Sequence, residues 1–358
     1  MRRRAALAGL VVVLAGCGSA PPAAPHPSPA TGAPPSPSIS HSTRPAPTTT
    51  AAPGAVHATT SPVTSLVVEP DDTMQPLYAL MSGASRTLDM TMYELADPTT
   101  VSILEQDAGR GVQVRVLLDR DYSGASVNAG AYSELGAHGV AVRWAYSGSI
   151  FHQKSVTVDG ARSAIMTLNL TSRYYSSTRD FAVITDDGAE VAAIESVFDQ
   201  DWTGTKPATP PASAGLLWSP GATDPLVNLV DSARRSLLVE NEEMDDPSIE
   251  TALEQAARRG VEVDVVMTYS SEWAPALGQL AASGVHVRTY ASDASIYIHA
   301  KAIVVDSGTA FLGSQNFSRS SLERNRELGL LTTDGSLIAG VAGVVGKDFA
   351  GAREYAAR

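Results

Sequence analysis

An internal repeat is the sequence feature that most constrains the fold. Residues 103–114 and 252–263 each form a helix-like apolar segment that ends in Arg-Gly and leads into a valine-rich segment. A pattern of helix and strand precedes each copy; it starts near Val67 in the first half and near Leu217 in the second. A further helix and strand follow each copy. Strands that alternate with helices predict βαβ units and a largely parallel sheet covered by helices.

The repeat predicts two halves of one architecture. We expect an α/β fold of two tandem half-domains, each a mostly parallel or mixed sheet flanked by helices. The halves should pack about a pseudo-twofold axis as an α/β/α/β/α sandwich. The boundaries are placed at residues 63–206 and 207–358, because prolines cluster at 207, 210 and 211.

The N-terminal region predicts export and anchoring. Residues 1–17 contain three arginines, a short apolar run and Cys17, an arrangement typical of a bacterial lipoprotein signal peptide with a lipobox. Cys17 is the only cysteine, so we expect lipidation rather than a disulfide. Residues 18–62 are rich in Pro, Ala, Ser and Thr and predict a disordered linker. The expected location is the outer face of the cytoplasmic membrane, or the secreted fraction.

The charge of the remaining chain disfavours nucleic acid as a partner. Residues 1–62 hold four of the 26 Lys and Arg residues and none of the 38 Asp and Glu residues, which leaves 22 against 38 from residue 63 onward. Nonspecific affinity for nucleic acid comes mainly from cationic contacts to phosphates. The acidic balance therefore argues against a nuclease.

The chemistry-bearing residues occur at matched positions of the repeat. His152, Lys154 and Asp159 recur with the same spacing as His299, Lys301 and Asp306. On a strand, side chains two residues apart project from one face, so each His and Lys should reach the same pocket. The chain has four lysines, and two of them lie in these motifs, as expected where a compact cation must contact a phosphate oxygen.

These motifs resemble the HxKxxxxD signature of the phospholipase D superfamily. The second half also has the downstream Gly-Ser and Asn of that signature, at Gly313, Ser314 and Asn316. The first half departs from it: Met166, Thr167 and Asn169 stand at the corresponding positions, so close backbone approach at Met166 is in question. The resemblance extends over about residues 63–349.

The resemblance implies a covalent mechanism without a metal or cofactor. One imidazole attacks phosphorus and the other protonates the leaving alkoxide and later activates water. Following the family's usual order, His152 is the expected nucleophile and His299 the acid. The lysines, with Asn169, Thr167, Ser314 and Asn316, are expected at the substrate oxygens. Asp180 and Glu327 are expected to orient an imidazole, and Asp159 and Asp306, although part of the motif, are more often structural in the family.

Several functions fit this pattern. The leading hypothesis is hydrolysis of phospholipid headgroup diesters, with phosphatidylcholine as the type of substrate, by a monomer that has both motifs in one chain. A phosphatidyl transferase similar to cardiolipin synthase and a nuclease are alternatives. A catalytically silent lipoprotein that binds a phosphoryl ligand is the non-enzymatic alternative. Five aromatic residues near the motifs are candidates for a choline-binding wall, with core packing as the other interpretation: Trp144, Tyr146, Trp273, Tyr290 and Tyr297.

Overall fold

The computed structural model describes residues 58–61, 63–122, 124–204, 210 and 215–356. The predicted signal peptide, Cys17 and nearly all of the predicted linker lie outside these residues, as does the proposed boundary at residues 206 and 207. Within the described part of the chain, no helix combines the length and the apolar character needed to cross a bilayer.

The second half repeats the order of helices and strands of the first half and, among the described residues, adds four two-residue strands and one short helix. The first half contains strands β1 (Ser65–Glu69), β2 (Thr87–Met92), β3 (Gln113–Leu118), β4 (Ala141–Trp144), β5 (Ser155–Val158), β6 (Arg162–Met166) and β7 (Thr178–Thr185), with helices α1 (Gln75–Ser82), α2 (Pro98–Gly109), α3 (Gly124–Ala137) and α4 (Gly188–Thr203). The second half contains strands β8 (Leu216–Ser219), β9 (Ser236–Glu240), β10 (Met244–Asp245), β11 (Glu262–Thr268), β12 (His286–Tyr290), β13 (Tyr297–Ile298), β14 (Ala302–Val305), β15 (Thr309–Gly313), β16 (Phe317–Ser318), β17 (Glu327–Thr332) and β18 (Arg353–Glu354), with helices α5 (Thr223–Ser232), α6 (Pro247–Arg258), α7 (Ala274–Ala282), α8 (Arg319–Glu323) and α9 (Gly335–Gly351).

Each half is built on one mixed sheet. The first sheet has the order β1-β7-β6-β5-β2-β3-β4, and the second has the matching order β8-β17-β15-β14-β9-β11-β12, with β18 at its edge. The β2-β3-β4 and β9-β11-β12 segments are parallel, as the βαβ pattern predicts. The strands that follow the motifs are antiparallel because β5-β6 and β14-β15 are hairpins closed by short turns.

The repeat extends to the way helices begin. In α2 the side chain of Asp97 accepts hydrogen bonds from two backbone amides of the first turn, and Pro98 follows it. In α6, Asp246 and Pro247 do the same. An aspartate at the cap satisfies amides that have no partner within the helix, and proline suits the first helical position.

Among the described residues, the apolar core forms three large clusters and a small fourth one that includes Phe151 and Phe198. One cluster lies between α1, α2, α3 and the first sheet, and a second between α5, α6, α7 and the second sheet. A third cluster combines α4 and α9 with residues of both sheets, among them Phe181, Val304 and Leu312. The predicted sandwich is confirmed. The short β13 also crosses between halves, because it pairs in parallel with β7 and brings its chain next to Asp180.

Candidate active site

The two motif histidines line one cavity of about 600 Å³. His152 and His299 precede strands β5 and β14, which begin at Ser155 and Ala302. Each histidine therefore lies three residues before the first residue of a central strand, and not within the strand. Both side chains are largely buried, with 11% and 15% of their surfaces exposed.

Each histidine is oriented by a carboxylate from the other half. His152 Nδ1 lies 2.8 Å from Glu327 Oε2. His299 Nδ1 lies 2.8 Å from Asp180 Oδ1 and 3.1 Å from Oδ2. The two carboxylates begin or nearly begin the matching strands β17 and β7. The imidazoles are therefore held by an exchange of partners between the halves.

This exchange determines which nitrogen of His152 carries the proton. Burial raises the pKa of Glu327, but the neighbouring His152 and Lys154 outweigh burial and lower it below its usual value. An ionised carboxylate only accepts hydrogen bonds, so Nδ1 of His152 must donate. Burial also lowers the pKa of His152 to about 4. At neutral pH its Nε2 is consequently an unprotonated nitrogen with an available lone pair.

The motif lysines are buried beside the histidines. Lys154 Nζ donates to the carbonyl of His152 at 2.7 Å and lies 5.1 Å from the centre of the Tyr93 ring. Lys301 Nζ donates to the carbonyl of His299 and, at 3.0 Å, to Glu242 Oε2. Burial, with repulsion from Lys301, lowers the pKa of Lys154 to about 7. The two ammonium groups thus sit close together in a poorly solvated site.

The four predicted substrate-binding residues separate into two groups. Asn169 and Asn316 line the cavity. Thr167 and Ser314 are fully buried: Thr167 Oγ1 donates to Asp180 Oδ1 at 2.5 Å, and Ser314 hydrogen bonds to Glu327. The two hydroxyls bind the carboxylates that orient the histidines. Thr167 and Ser314 therefore lie behind these carboxylates and do not line the cavity, where a substrate-binding position was predicted for them.

The motif aspartates lie at the far ends of β5 and β14. Asp159 accepts hydrogen bonds from the backbone amides of residues 85, 86 and 87, and Asp306 from those of residues 234, 235 and 236. Neither lines the cavity. The geometry assigns both to the fold, where they bind the turn that leads into β2 or β9, and not to the catalytic position given by their membership of the motif.

Met166 does not disturb the site. A side chain at the matching Gly313 would collide with Gly329 of the adjacent strand and with Gln315. The glycine thus serves packing between strands. Met166 is buried in the core of the first half, and its backbone amide donates to Lys154 just as that of Gly313 donates to Lys301. The core of the first half therefore accommodates the Met166 side chain, and the backbone hydrogen bond to the motif lysine is kept.

Sequence reasoning missed several residues of the cavity. Tyr93 packs edge-on against His152, with ring centres 4.7 Å apart, and Glu242 contacts His299. The sequence could have identified both residues, because Tyr93 and Glu242 follow the matching strands β2 and β9. Of the five aromatic candidates, Tyr297 lines the cavity, whereas Trp144 stacks on Tyr132.

A group of side chains with metal-ligand spacing lies elsewhere. Among the described residues it comprises Glu262, Asp264 and His286, on the neighbouring strands β11 and β12. His286 is largely exposed and pairs with Asp264 at 2.9 Å. None of the three lines the cavity.

Each half contributes one histidine and one lysine, and the two halves are related by a pseudo-twofold axis. This arrangement is characteristic of phosphodiesterase folds that have two such motifs. The family model described as "Cardiolipin synthase, PLD-like domain" matches residues 77–202 and 226–348. The chain belongs to this family of phospholipase D-like proteins, whose enzymes act on phosphodiester bonds.

Curated relatives match over different lengths. Mitochondrial cardiolipin hydrolase of Xenopus laevis is 32% identical over 139 residues, which cover 39% of this chain and 65% of that protein. Cardiolipin synthase A of Pseudomonas entomophila (strain L48) is 26% identical over 335 residues, which cover 82% of this chain and 69% of that protein. The match to the first relative thus spans somewhat less than two thirds of its length.

Solved structures support the same fold. Phosphatidylserine synthase of Haemophilus influenzae Rd KW20 superimposes with a TM-score of 0.65 at 12% identity and covers 84% of this chain and 89% of that one. Polyphosphate kinase of Porphyromonas gingivalis gives 0.61 at 16% identity and covers 79% and 49%. At these identities the likeness describes the fold alone.

Proposed function

We propose that the protein cleaves the headgroup phosphodiester of phospholipids through a phosphohistidine intermediate, with a phosphatidylcholine-like lipid as substrate. One observation carries the proposal: two imidazoles, each held at Nδ1 by a buried carboxylate, line a single cavity beside two buried lysines. An acid and a nucleophile placed on either side of one phosphorus are what a double displacement requires.

The first step forms the covalent intermediate. Nε2 of His152 attacks phosphorus, the bond from phosphorus to the headgroup oxygen breaks, and His299 gives its proton to that oxygen. In the second step water attacks phosphorus while His299 takes its proton. The bond from phosphorus to nitrogen then breaks and restores His152. Lys154, Lys301 and the two asparagines stabilise the charge on the non-bridging oxygens.

The environments of the two histidines support this assignment of roles. His152 is neutral because burial lowers its pKa to about 4, which suits a nucleophile. His299 has a carboxylate beside each nitrogen, since Asp180 contacts Nδ1 and Glu242 Oε2 lies 3.5 Å from Nε2. That arrangement suits an imidazolium that donates a proton.

Transfer to an alcohol is the second candidate. The matching family model and the relative that covers most of the chain both have cardiolipin synthase in their descriptions. In such a reaction the phosphohistidine would pass its phosphatidyl group to an alcohol in place of water. The same residues would act, and only the second acceptor would differ.

The cellular setting is also proposed. Lipidation of Cys17 after removal of residues 1–16 would anchor the exported protein to the outer face of the membrane, and residues 18–62 would tether the catalytic part. A cavity that accepts membrane lipids is consistent with this address. Both motifs lie in one chain, so the proposed active form is a monomer.

The deciding assay measures product from phosphatidylcholine in mixed micelles, with the full-length protein in detergent. Hydrolysis releases choline and phosphatidate. Added glycerol converts the lipid product to phosphatidylglycerol if transfer prevails. The variant with both His152→Asn and His299→Asn serves as the blank. Choline release by this variant at the wild-type rate, or none by the wild type on any diester, would contradict the proposal.

A further inference from the structure

Tyr93 and Glu242 occupy equivalent positions in the two halves. Strand β2 pairs Leu88 with Val158, and β9 pairs Leu237 with Val305, each at the residue before a motif aspartate. Five residues beyond these pairs lie Tyr93 and Glu242. The repeat therefore sets an aromatic ring beside one histidine and a carboxylate beside the other.

The Glu242 carboxylate contacts the groups that would hold a phosphate. Its Oε2 lies 3.0 Å from Lys301 Nζ, 3.4 Å from Asn316 Nδ2 and 3.5 Å from His299 Nε2. Its Oε1 accepts from the Tyr297 hydroxyl at 3.2 Å. One carboxylate oxygen thus makes the contacts that would suit a phosphate oxygen. A bound diester must take over Lys301 and Asn316, while Tyr297 keeps the carboxylate nearby.

The positive charge of the site does not exceed its negative charge. Burial opposes ionisation of Glu242, but Lys301 and His299 outweigh it and lower the pKa of its carboxyl below the usual range. The pKa values of Asp180 and Glu327 are lowered in the same way by their histidines. Three carboxylates thus face three cations, namely Lys154, Lys301 and the His299 imidazolium, so the charges balance until a diester adds its own negative charge.

The wall of the cavity has the same character. Five carboxyl groups line it, and within the described residues no lysine or arginine does. The carboxyl groups are those of Glu69, Glu94, Asp180, Glu242 and Glu243. Burial raises the pKa of Glu69 to about 7 and also raises the pKa of Glu243, so these two contribute less negative charge than the others. Tyrosines supply much of the remaining surface, including Tyr93, Tyr174 and Tyr297. Carboxylates and aromatic rings together attract an ammonium group, by direct charge and by cation–π contact.

We propose that Glu242 is a specificity-determining residue that selects a diester whose leaving alcohol carries a positive charge, such as a choline or ethanolamine ester. The inference rests on the proposed function, because it places the leaving alcohol on the His299 side. The substrate's ammonium group supplies the cation that the site lacks, and it lies between the displaced carboxylate and the phosphate. An anionic or polyhydroxylic alcohol brings no such compensation.

The test compares lipids that differ only in the alcohol. Wild-type full-length protein and the Glu242→Gln variant are given dihexanoyl phosphatidylcholine, phosphatidylglycerol or phosphatidylpropanol, and substrate loss is followed by phosphorus NMR. We expect the wild type to prefer the choline ester. In Glu242→Gln the ratio of kcat/KM for the choline ester to that for the glycerol ester should fall at least about tenfold, since a close unit charge is removed.

Two further variants separate charge from folding. Glu242→Asp keeps the charge and should keep the preference, whereas Glu242→Tyr copies the first half and should lose it. Glu272→Gln removes an exposed carboxylate and should leave the ratio unchanged. An unchanged ratio in Glu242→Gln, or an equal loss on all three lipids, overturns the selection by Glu242. Absence of any wild-type consumption instead overturns the proposed function itself.

Discussion

Arg179 and Asp348 form a buried ion pair between the two halves, with Nε 2.5 Å from Oδ2 and Nη2 3.1 Å from Oδ1. Arg326 and Asp201 form the matching pair, 3.0 Å apart, at the corresponding positions of the repeat. Each arginine directly precedes an orienting carboxylate, Asp180 or Glu327. The contacts that join the halves therefore also position the residues that aim the histidines.

The first prediction concerns this pair. Arg179→Met should lower the free energy of unfolding by about 3–5 kcal/mol, because it leaves a buried carboxylate without its cation. Adding Asp348→Leu should recover most of the loss, since an apolar pair can replace a buried ion pair. Urea denaturation measures both. Arg259→Met, which breaks an exposed pair with Asp231, should cost less than about 1 kcal/mol. Equal losses in Arg179→Met and Arg259→Met would contradict the argument.

The exchanged carboxylates should affect different chemical steps. Asp180→Asn and Glu327→Gln should each lower kcat by about 10²- to 10⁴-fold, since each removes the acceptor that aligns an imidazole. Asp180 serves the proposed acid, so a nitrophenyl diester, whose leaving group needs no proton, should recover the rate of the covalent step in Asp180→Asn, seen as a burst of nitrophenolate, while hydrolysis of the intermediate stays slow. This diester should not recover the covalent step in Glu327→Gln. The opposite pattern would assign His299 as the nucleophile.

Trapping of the intermediate tests the same assignment directly. With an activated diester labelled at phosphorus, His299→Asn should accumulate a phosphoryl-protein that is labile to acid and stable to base, because attack proceeds and hydrolysis stalls. His152→Asn should bind no label. A label found only in His152→Asn would exchange the two roles, and full turnover by either variant would remove the two-histidine mechanism.

The pH profile of kcat/KM should have two limbs. Burial lowers the pKa of His152 to about 4, so activity should rise as pH increases through about 4 and the imidazole loses its proton. Burial lowers the pKa of Lys154 to about 7, so activity should fall above about 7 as the ammonium loses its charge. Lys154→Arg stays protonated and should extend the plateau to higher pH, even if its maximum is lower. An alkaline limb that stays in place in this variant would exclude Lys154 as its source.

Anchoring is tested apart from chemistry. Cys17→Ser should move the protein from the membrane fraction to the soluble fraction without changing kcat on a soluble diester, because the predicted linker separates the anchor from the cavity. Fractionation after expression, with immunodetection, provides the measurement. Retention of Cys17→Ser in membranes would argue against lipidation at this residue.

The repeat and the paired motifs were enough to predict the sandwich and the meeting of His152, His299, Asn169 and Asn316 in one cavity. They could not predict which carboxylate serves which histidine, since strand patterns describe one half at a time and the partners come from the other. From the sequence alone, the hydroxyls of Thr167 and Ser314 could bind either a substrate or a carboxylate. Only the packing of β6 on β7 and of β15 on β17 turns them toward Asp180 and Glu327.

Other residues of the cavity were not predicted for a different reason. Glu242 and Tyr93 differ in chemistry, so a search for similarity between the halves passes over them although their positions correspond. Met166 drew attention because it breaks the signature, yet its effect is absorbed by core packing that the sequence does not describe. Differences between repeats are informative once the register of the strands is known.

The exchange of carboxylates between His152 and His299 has an evolutionary consequence. A single ancestral repeat would have held a histidine and a carboxylate that could not serve one another, so it would have needed a second copy of itself to align either ring. Once the repeats were fused, each could diverge only on one side of the shared phosphate, as Tyr93 and Glu242 have done. Recombination that replaces one repeat with that of a distant relative would have to preserve both borrowed carboxylates at once.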